Sequence, residues 1–307
     1  MEDDGRETRG AREISSERTA PGVLTVGQCA TLACLLEATF PKPGNVHRGA
    51  DFEDLSFTDF VAAAVAIGPA MEAAAAGASL GATVLAAVRA TRTVCATNVN
   101  LGIVLLLAPL ARAASQTDLR GGTKRVLETL TPSDAATVYE AIALANPGGM
   151  GKVDDADVAG PPPADLLAAM RLAADRDTIA KQYTNGFADL FDFIVPELTA
   201  GLARGWSLSD AVIRTHLRTM HTIPDTLIAR KCGAAVAQEA AANAGAVLEI
   251  GEPGNEEYNE ALADLDFWLR CDGHRRNPGT TADLIAAALF VALLGGSISL
   301  PLVPSAV

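Results

Sequence analysis

A lysine fixed between two prolines, with carboxylates on either side of it, is the first place where this chain could do chemistry. Pro41-Lys42-Pro43-Gly44-Asn45-Val46-His47 follows an apolar segment that contains Glu37 and precedes the acidic run Asp51 to Asp54. The prolines lock φ and stop a helix, and they drive the residues before them into extended conformation. Gly44 permits a tight turn or close approach to a ligand. The loop should therefore present Lys42, Asn45 and His47 together, with Glu37 one turn before the break. A held cation beside carboxylates suits a nucleotide phosphate and its metal. The other reading of the same residues is a plain helix–loop connection with a solvated lysine.

A second concentration runs from Asp272 to Asp283. His274, Arg275 and Arg276 precede Asn277-Pro278-Gly279-Thr280-Thr281, and Asp283 falls in the first turn of an apolar helix. Free N–H groups at a helix start attract anions, while Asp283 there either supports the cap or holds a cation. Asp225 opens a segment that reaches Arg230-Lys231, and it also reads as a helix cap. Asn98 and Asn100 lead into a buried apolar helix, which is costly unless they are hydrogen-bonded; Asn98 is the natural cap. Asp177 and Lys181 have the spacing of a helix ion pair. His216 and His221, five apart, share no helix face and make no metal pair. The glycines after Asn146 lack the Gly-Lys-Ser/Thr ending of a phosphate loop.

The elements that must position these groups are helices. Apolar residues make up 49% of the 307-residue chain and aromatics only 5%, and Ala and Leu supply most of the apolar content. Both are strong helix formers, and alternating strand patterns are scarce. The reading is an all-α fold of about a dozen helices: a disordered tail over residues 1–22, then one catalytic domain over 23–307. Helices are predicted from Thr25 to about Phe40, after Ser56 or Thr58, from Ser133, from about Pro163 to Ala174, and after Ser207 or Ser209. Residues 114–124, with Gly121-Gly122, read as a polar loop. The apolar runs Leu101 to Leu110 and Leu284 to Leu294 fall short of the roughly 20 residues that span a bilayer, so no membrane is implied.

The net charge of −13 argues against nucleic acid as a partner and leaves room for a local cationic pocket. Cys29, Cys34, Cys95, Cys232 and Cys271 show no metal spacing and read as reduced thiols of a cytoplasmic protein. The charged N-terminus does not read as a secretory signal. Homo-oligomerisation is left open by the sequence.

Together these stretches resemble the triphosphoribosyl-dephospho-CoA synthase family, over most of the chain from about Glu37 onward. The resemblance is carried by Glu37…Pro41-Lys42-Pro43-Gly44-Asn45-Val46, Asn98…Gly102, Gly186-Phe187, Asp225-Thr226…Arg230 and Pro278-Gly279-Thr280-Thr281-Ala282-Asp283-Leu284. It implies an all-helical enzyme that moves the triphosphoribosyl group of ATP to a hydroxyl of dephospho-CoA and expels adenine. Such chemistry passes through an oxocarbenium-like transition state that carboxylates stabilise. It needs Mg²⁺ on the triphosphate, cations on the remaining charge and a base for the acceptor hydroxyl.

On that basis Lys42 and Arg230 are the triphosphate residues. Glu37, Asp54 and Asp283 are candidates for Mg²⁺ or the oxocarbenium centre, Glu37 and Asp54 being catalytic candidates together with Asp225 as general base. Asn45, His47, Asn98, Asn100, Asn277, Thr280 and Thr281 are candidates for orienting substrate. The chain departs from the family where Asn98-Val99-Asn100-Leu101-Gly102 replaces the usual Asn-Thr-His-Lys-Gly. Asp51 stands at the family's histidine after Lys-Pro-Gly, and Ala180, Lys181 and Gln182 stand where an Arg and a Glu usually precede Gly-Phe. The lost cations point to a changed acceptor, such as a precursor of a tetrahydromethanopterin-type one-carbon carrier. The reading from a different class is a non-catalytic nucleotide-binding protein.

Overall fold

The computed structural model describes residues 24–146 and 163–302. The predicted tail of residues 1–22 and residues 147–162 of the predicted glycine-rich connector lie outside the described residues. Fourteen helices follow one another along the described chain. They are α1 (Val26–Thr39), α2 (Phe57–Ala75), α3 (Leu80–Val94), α4 (Leu101–Ala113), α5 (Leu119–Glu128), α6 (Pro132–Ala145), α7 (Leu166–Ala173) and α8 (Thr178–Asn185). After a π-helical turn, Leu190–Ile194, come α9 (Val195–Ala203), α10 (Leu208–Thr222), α11 (Thr226–Cys232), α12 (Ala234–Ile250), α13 (Glu256–Arg270), the four-residue strand β1 (Cys271–His274) and α14 (Gly279–Leu294). The fold is all-α, as the composition predicts.

The helix starts follow from local chemistry. Thr25, Ser56, Thr131 and Ser207 each cap a helix through the side-chain oxygen, three of them in reciprocal capping boxes, which satisfies N–H groups that a helix start leaves free. Asp177 and Asp225 do the same for α8 and α11. One prediction needs correction. Residues 119–124 belong to α5, capped by Asp118; burial of Thr123, Val126 and Leu127 outweighs the helix penalty of Gly121-Gly122. Residues 271–274 form the short extended segment β1.

Helix α14 is buried on nearly every side, from Thr280 to Leu293. A helix apolar all round must be enclosed, and α1, α4, α9, α10 and α11 pack against it. One apolar core joins α1–α10 and α14. A smaller one joins α10–α13 around Leu217, Met220, Ile228 and Leu269. Contact between α10 and α14 holds the two together. Among the described residues only α2, at 19 residues, is long and apolar enough to cross a membrane by length and composition; it packs on α1, α3 and α4.

Candidate active site

The Pro41–His47 loop and the start of α14 are bolted to each other. Asn45 Nδ2 donates to Asn277 Oδ1 at 2.6 Å across 232 residues of sequence. Gly44 N donates to Asp266 Oδ1 at 2.7 Å, and Arg270 binds the Asn45 carbonyl. Gly44 is required twice over: its φ is +78°, and a Cβ there would lie 2.8 Å from Leu269 and from Pro278. The two stretches that stood out in the sequence therefore form one structural joint.

Beside that joint lies a cavity of about 760 Å³. Its polar lining includes Glu37, Asn45, Asp54, Asn98, Asn100, Asp177, Arg230, Lys231, His274, Asn277, Thr280 and Asp283. Helices α6 and α7 add an apolar wall through Tyr139, Ile142, Ala169 and Met170. The starts of α4, α8 and α14 converge on it, bringing Gly102, Asp177 and Asp283 to the lining. Their dipoles favour negative charge at that end.

Two predicted residues lie behind the wall. Lys42, read as a triphosphate contact, is 0% exposed and pairs with Glu37 Oε1 at 2.9 Å. It also donates to the Glu37 carbonyl. Its charge is spent on holding the Glu37 carboxylate, itself 3% exposed, at the cavity edge. Asp225, read as a general base, has no oxygen left to accept a proton. Oδ1 takes the Leu227 and Ile228 N–H groups, and Oδ2 takes the Thr281 N–H and hydroxyl at 2.7 and 2.8 Å. The cap reading of Asp225 is the geometry found, and Thr281 is the other half of that clamp. Asp225→Asn keeps one acceptor but turns an amide donor toward Thr281; urea denaturation should show a loss of about 1–3 kcal/mol.

The remaining predicted residues divide as follows. His47 is half-buried outside the cavity, with Nδ1 accepting from Gly49 N, and burial followed by the Arg270 charge lowers its pKa. Asn98 Oδ1 caps the start of α4 through Leu101 N. Asn100 donates to Thr91 Oγ1, and Thr280 accepts from Thr226 Oγ1. All three also line the cavity. Asp54 is turned toward His274, Oδ1 to Nδ1 at 2.7 Å.

Asp283 faces the cavity from α14. No hydrogen bond or ion pair holds its carboxylate among the described residues. Its pKa is raised well above the ordinary carboxylate range, first by desolvation, then by the charges of Glu37, Asp225 and Asp177; Arg230 acts the other way. Gly102 exists to make room for it, since a Cβ there would stand 2.0 Å from Asp283 Oδ2. Gly102→Ala should therefore displace the carboxylate, cost about 1–3 kcal/mol of stability and weaken nucleotide binding, as measured by denaturation and calorimetric titration.

Among the described residues no group of three or more His, Cys, Asp or Glu forms a metal cage. Mg²⁺ on a nucleotide needs only one or two carboxylates, with phosphate oxygens and waters completing the shell. Glu37 and Asp283, charge-coupled and at the same cavity, fit that demand. Asp54 lines the same cavity, with its Oδ1 engaged by His274.

Sequence reasoning missed four cavity residues. Asp177 does not pair with Lys181, which goes to Asp189 at 3.1 Å; it pairs with Arg230 at 2.8 Å instead. The signal was the repeated Asp-Thr at 177–178 and 225–226, a cap followed by a threonine at both helix starts. Arg92, Arg176 and Lys231 also line the cavity, and burial lowers the Lys231 pKa.

Three comparisons bear on this geometry. A family model for ATP:dephospho-CoA triphosphoribosyl transferase matches residues 24–300. A probable 2-(5''-triphosphoribosyl)-3'-dephosphocoenzyme-A synthase of Pseudomonas savastanoi pv. phaseolicola is 31% identical over 111 residues, which is 36% of this chain and 38% of that protein. The match thus spans well under half of that relative's length. The crystal structure of a protein proposed to be a triphosphoribosyl-dephospho-CoA synthase, from Archaeoglobus fulgidus, shares the fold with a TM-score of 0.58 at 24% identity, over 77% of this chain and 99% of that one. With the family model covering nearly all of the described residues, the chain belongs to the ATP:dephospho-CoA triphosphoribosyl transferase family.

Proposed function

We propose that this protein transfers the triphosphoribosyl group of ATP to a hydroxyl of a second small molecule and releases adenine. The observation that carries the reading is that the carboxylates Glu37 and Asp283 and the cations Arg230 and Lys231 line one cavity. Arg230 and Lys231, beside the start of α14, suit the triphosphate. The apolar wall from α6 and α7 suits the flat, neutral adenine. Glu37, paired with Lys42, and Asp283 are the carboxylates that would stabilise positive charge on the ribose. Glu37 and Asp283 would hold Mg²⁺, which would supply neutralisation of the triphosphate charge.

The acceptor has a second reading, favoured by one feature. Val99 and Leu101 line the cavity where the family usually carries a threonine and a lysine, and Asn100 stands in place of a histidine. Leucine cannot hold a phosphate. Losing one charge-assisted hydrogen bond weakens binding by about 1.5–3 kcal/mol, roughly tenfold to a hundredfold. A hydroxyl acceptor with fewer anionic groups there is then preferred over dephospho-CoA.

The test is chromatography of ATP and Mg²⁺ reactions, alone and with dephospho-CoA or a pterin ribosyl precursor, with mass spectrometry of the product. Adenine appearing with a product heavier by the triphosphoribosyl group supports transfer, and the acceptor that works fixes the branch. ATP binding without adenine release under any of these conditions would move the protein to the non-catalytic nucleotide-binding class.

A further inference from the structure

The geometry points to His274, oriented by Asp54, as the group that takes the proton of the acceptor hydroxyl; this rests on the ribosyl-transfer reading above. The chain has four histidines, and among the described residues only His274 lines the cavity. His216 is sealed at 0% exposure. His47 accepts from the Gly49 N–H, and His221 Nδ1 contacts the Ala241 carbonyl. Among the cavity carboxylates and their neighbours, Asp225 is fully engaged, Glu37 is paired with Lys42, Asp177 is paired with Arg230, and Asp283 is assigned above to the metal and the ribose charge.

The imidazole is held by Asp54 and Phe52. Nδ1 donates to Asp54 Oδ1 at 2.7 Å, which fixes the tautomer and leaves Nε2 as the free acceptor. The ring meets Phe52 edge-on, with centroids 5.6 Å apart, and Arg270 lies over the other ring of that contact, 5.0 Å from the Phe52 centroid. Lys231 Nζ donates to the His274 carbonyl at 3.4 Å. Asp54 and Phe52 come from the short turn closed by the Phe52–Leu55 bridge. That turn and β1 thus build a histidine–carboxylate dyad from segments more than 200 residues apart. In the proposed step the acceptor O–H proton passes to His274 Nε2 as the acceptor oxygen bonds to ribose C1′. The C1′–N9 bond breaks and its electron pair leaves with adenine, which takes a proton from solvent. His274 then returns its proton to solvent.

The experiment compares the wild-type chain with His274→Asn, His274→Ala and Asp54→Asn, using ATP, Mg²⁺ and dephospho-CoA or the pterin acceptor. Adenine release is followed alongside calorimetric ATP binding. Asparagine can keep the bond to Asp54 but cannot take a proton. His274→Asn should lose about 10²–10⁴-fold in kcat with ATP affinity retained. Added imidazole should restore part of the activity of His274→Ala, and Asp54→Asn should lose less than either. Equal activity of His274→Asn and wild type would overturn the assignment alone. So would loss of ATP binding in His274→Asn without imidazole rescue of His274→Ala, since the role would then be structural. Absence of adenine release by wild type with every acceptor would overturn both this assignment and the reading beneath it.

Discussion

Lys42→Met should be among the most destabilising single changes in this protein, lowering unfolding free energy by about 3–5 kcal/mol. The reason is placement. Lys42 Nζ and Glu37 Oε1 are 2.9 Å apart with side chains 0% and 4% exposed. Methionine fits the aliphatic stem but leaves a buried carboxylate without its cation, facing the charge of Asp283. Urea denaturation reads the loss directly. Adenine release should fall with it, because Glu37 would lose the partner that holds its carboxylate at the cavity edge.

The double variant Lys42→Met/Glu37→Gln separates the two effects. Replacing both ends of a buried pair is close to neutral, so stability should largely return while activity stays low. A Lys42→Met protein as stable as wild type would show that Lys42 is not committed to Glu37. The triphosphate role first read from the sequence would then stand again.

How much of this was legible beforehand depends on the range of the interaction. The Pro41–His47 loop is local: prolines and a glycine dictate a rigid turn wherever they occur, and the preceding carboxylate falls within one helical turn. Capped helix starts such as Thr25 and Ser56 are local too. What the lysine faces is not local. The stretch shows a fixed cation near carboxylates, and only the packing of α1 against α14 decides that the cation turns inward to Glu37. Asp177 was misread for the same reason. Its spacing to Lys181 satisfies a helix rule, but the cap position turns its side chain off the helix face toward Arg230 on α11. The glycine pair in α5 misled in the other direction, because local propensity yielded to burial of that helix's apolar face. His274 stood out only as part of the basic run before α14, and its pairing was hidden because its partner Asp54 lies in a separate turn near the other end of the chain.

Asp283→Asn should make the protein more stable and far less active. The folded chain raises the Asp283 pKa, first through desolvation and then through Glu37, Asp225 and Asp177. A raised carboxylate binds its proton more tightly in the folded than in the unfolded chain. That contribution is complete below the ordinary carboxylate range and fades as pH rises through the folded value. Asparagine cannot ionise, so the variant escapes the fading: its advantage over wild type should be small in acid and grow toward neutral pH. Catalysis should move oppositely. Removing one preorganised charge from the transition state costs about 10²–10³-fold in rate. Mg²⁺ and ATP should also raise the wild-type melting temperature more than the variant's, because bound ligand stabilises in proportion to affinity and the variant has lost one carboxylate for the metal. Melting curves at acidic and neutral pH, with and without Mg²⁺ and ATP, and an adenine-release assay measure all three. A variant that melts no higher than wild type at neutral pH would mean that Asp283 is not strained by its surroundings. One that keeps wild-type adenine release would remove Asp283 from the reacting centre and leave Glu37 alone beside the ribose.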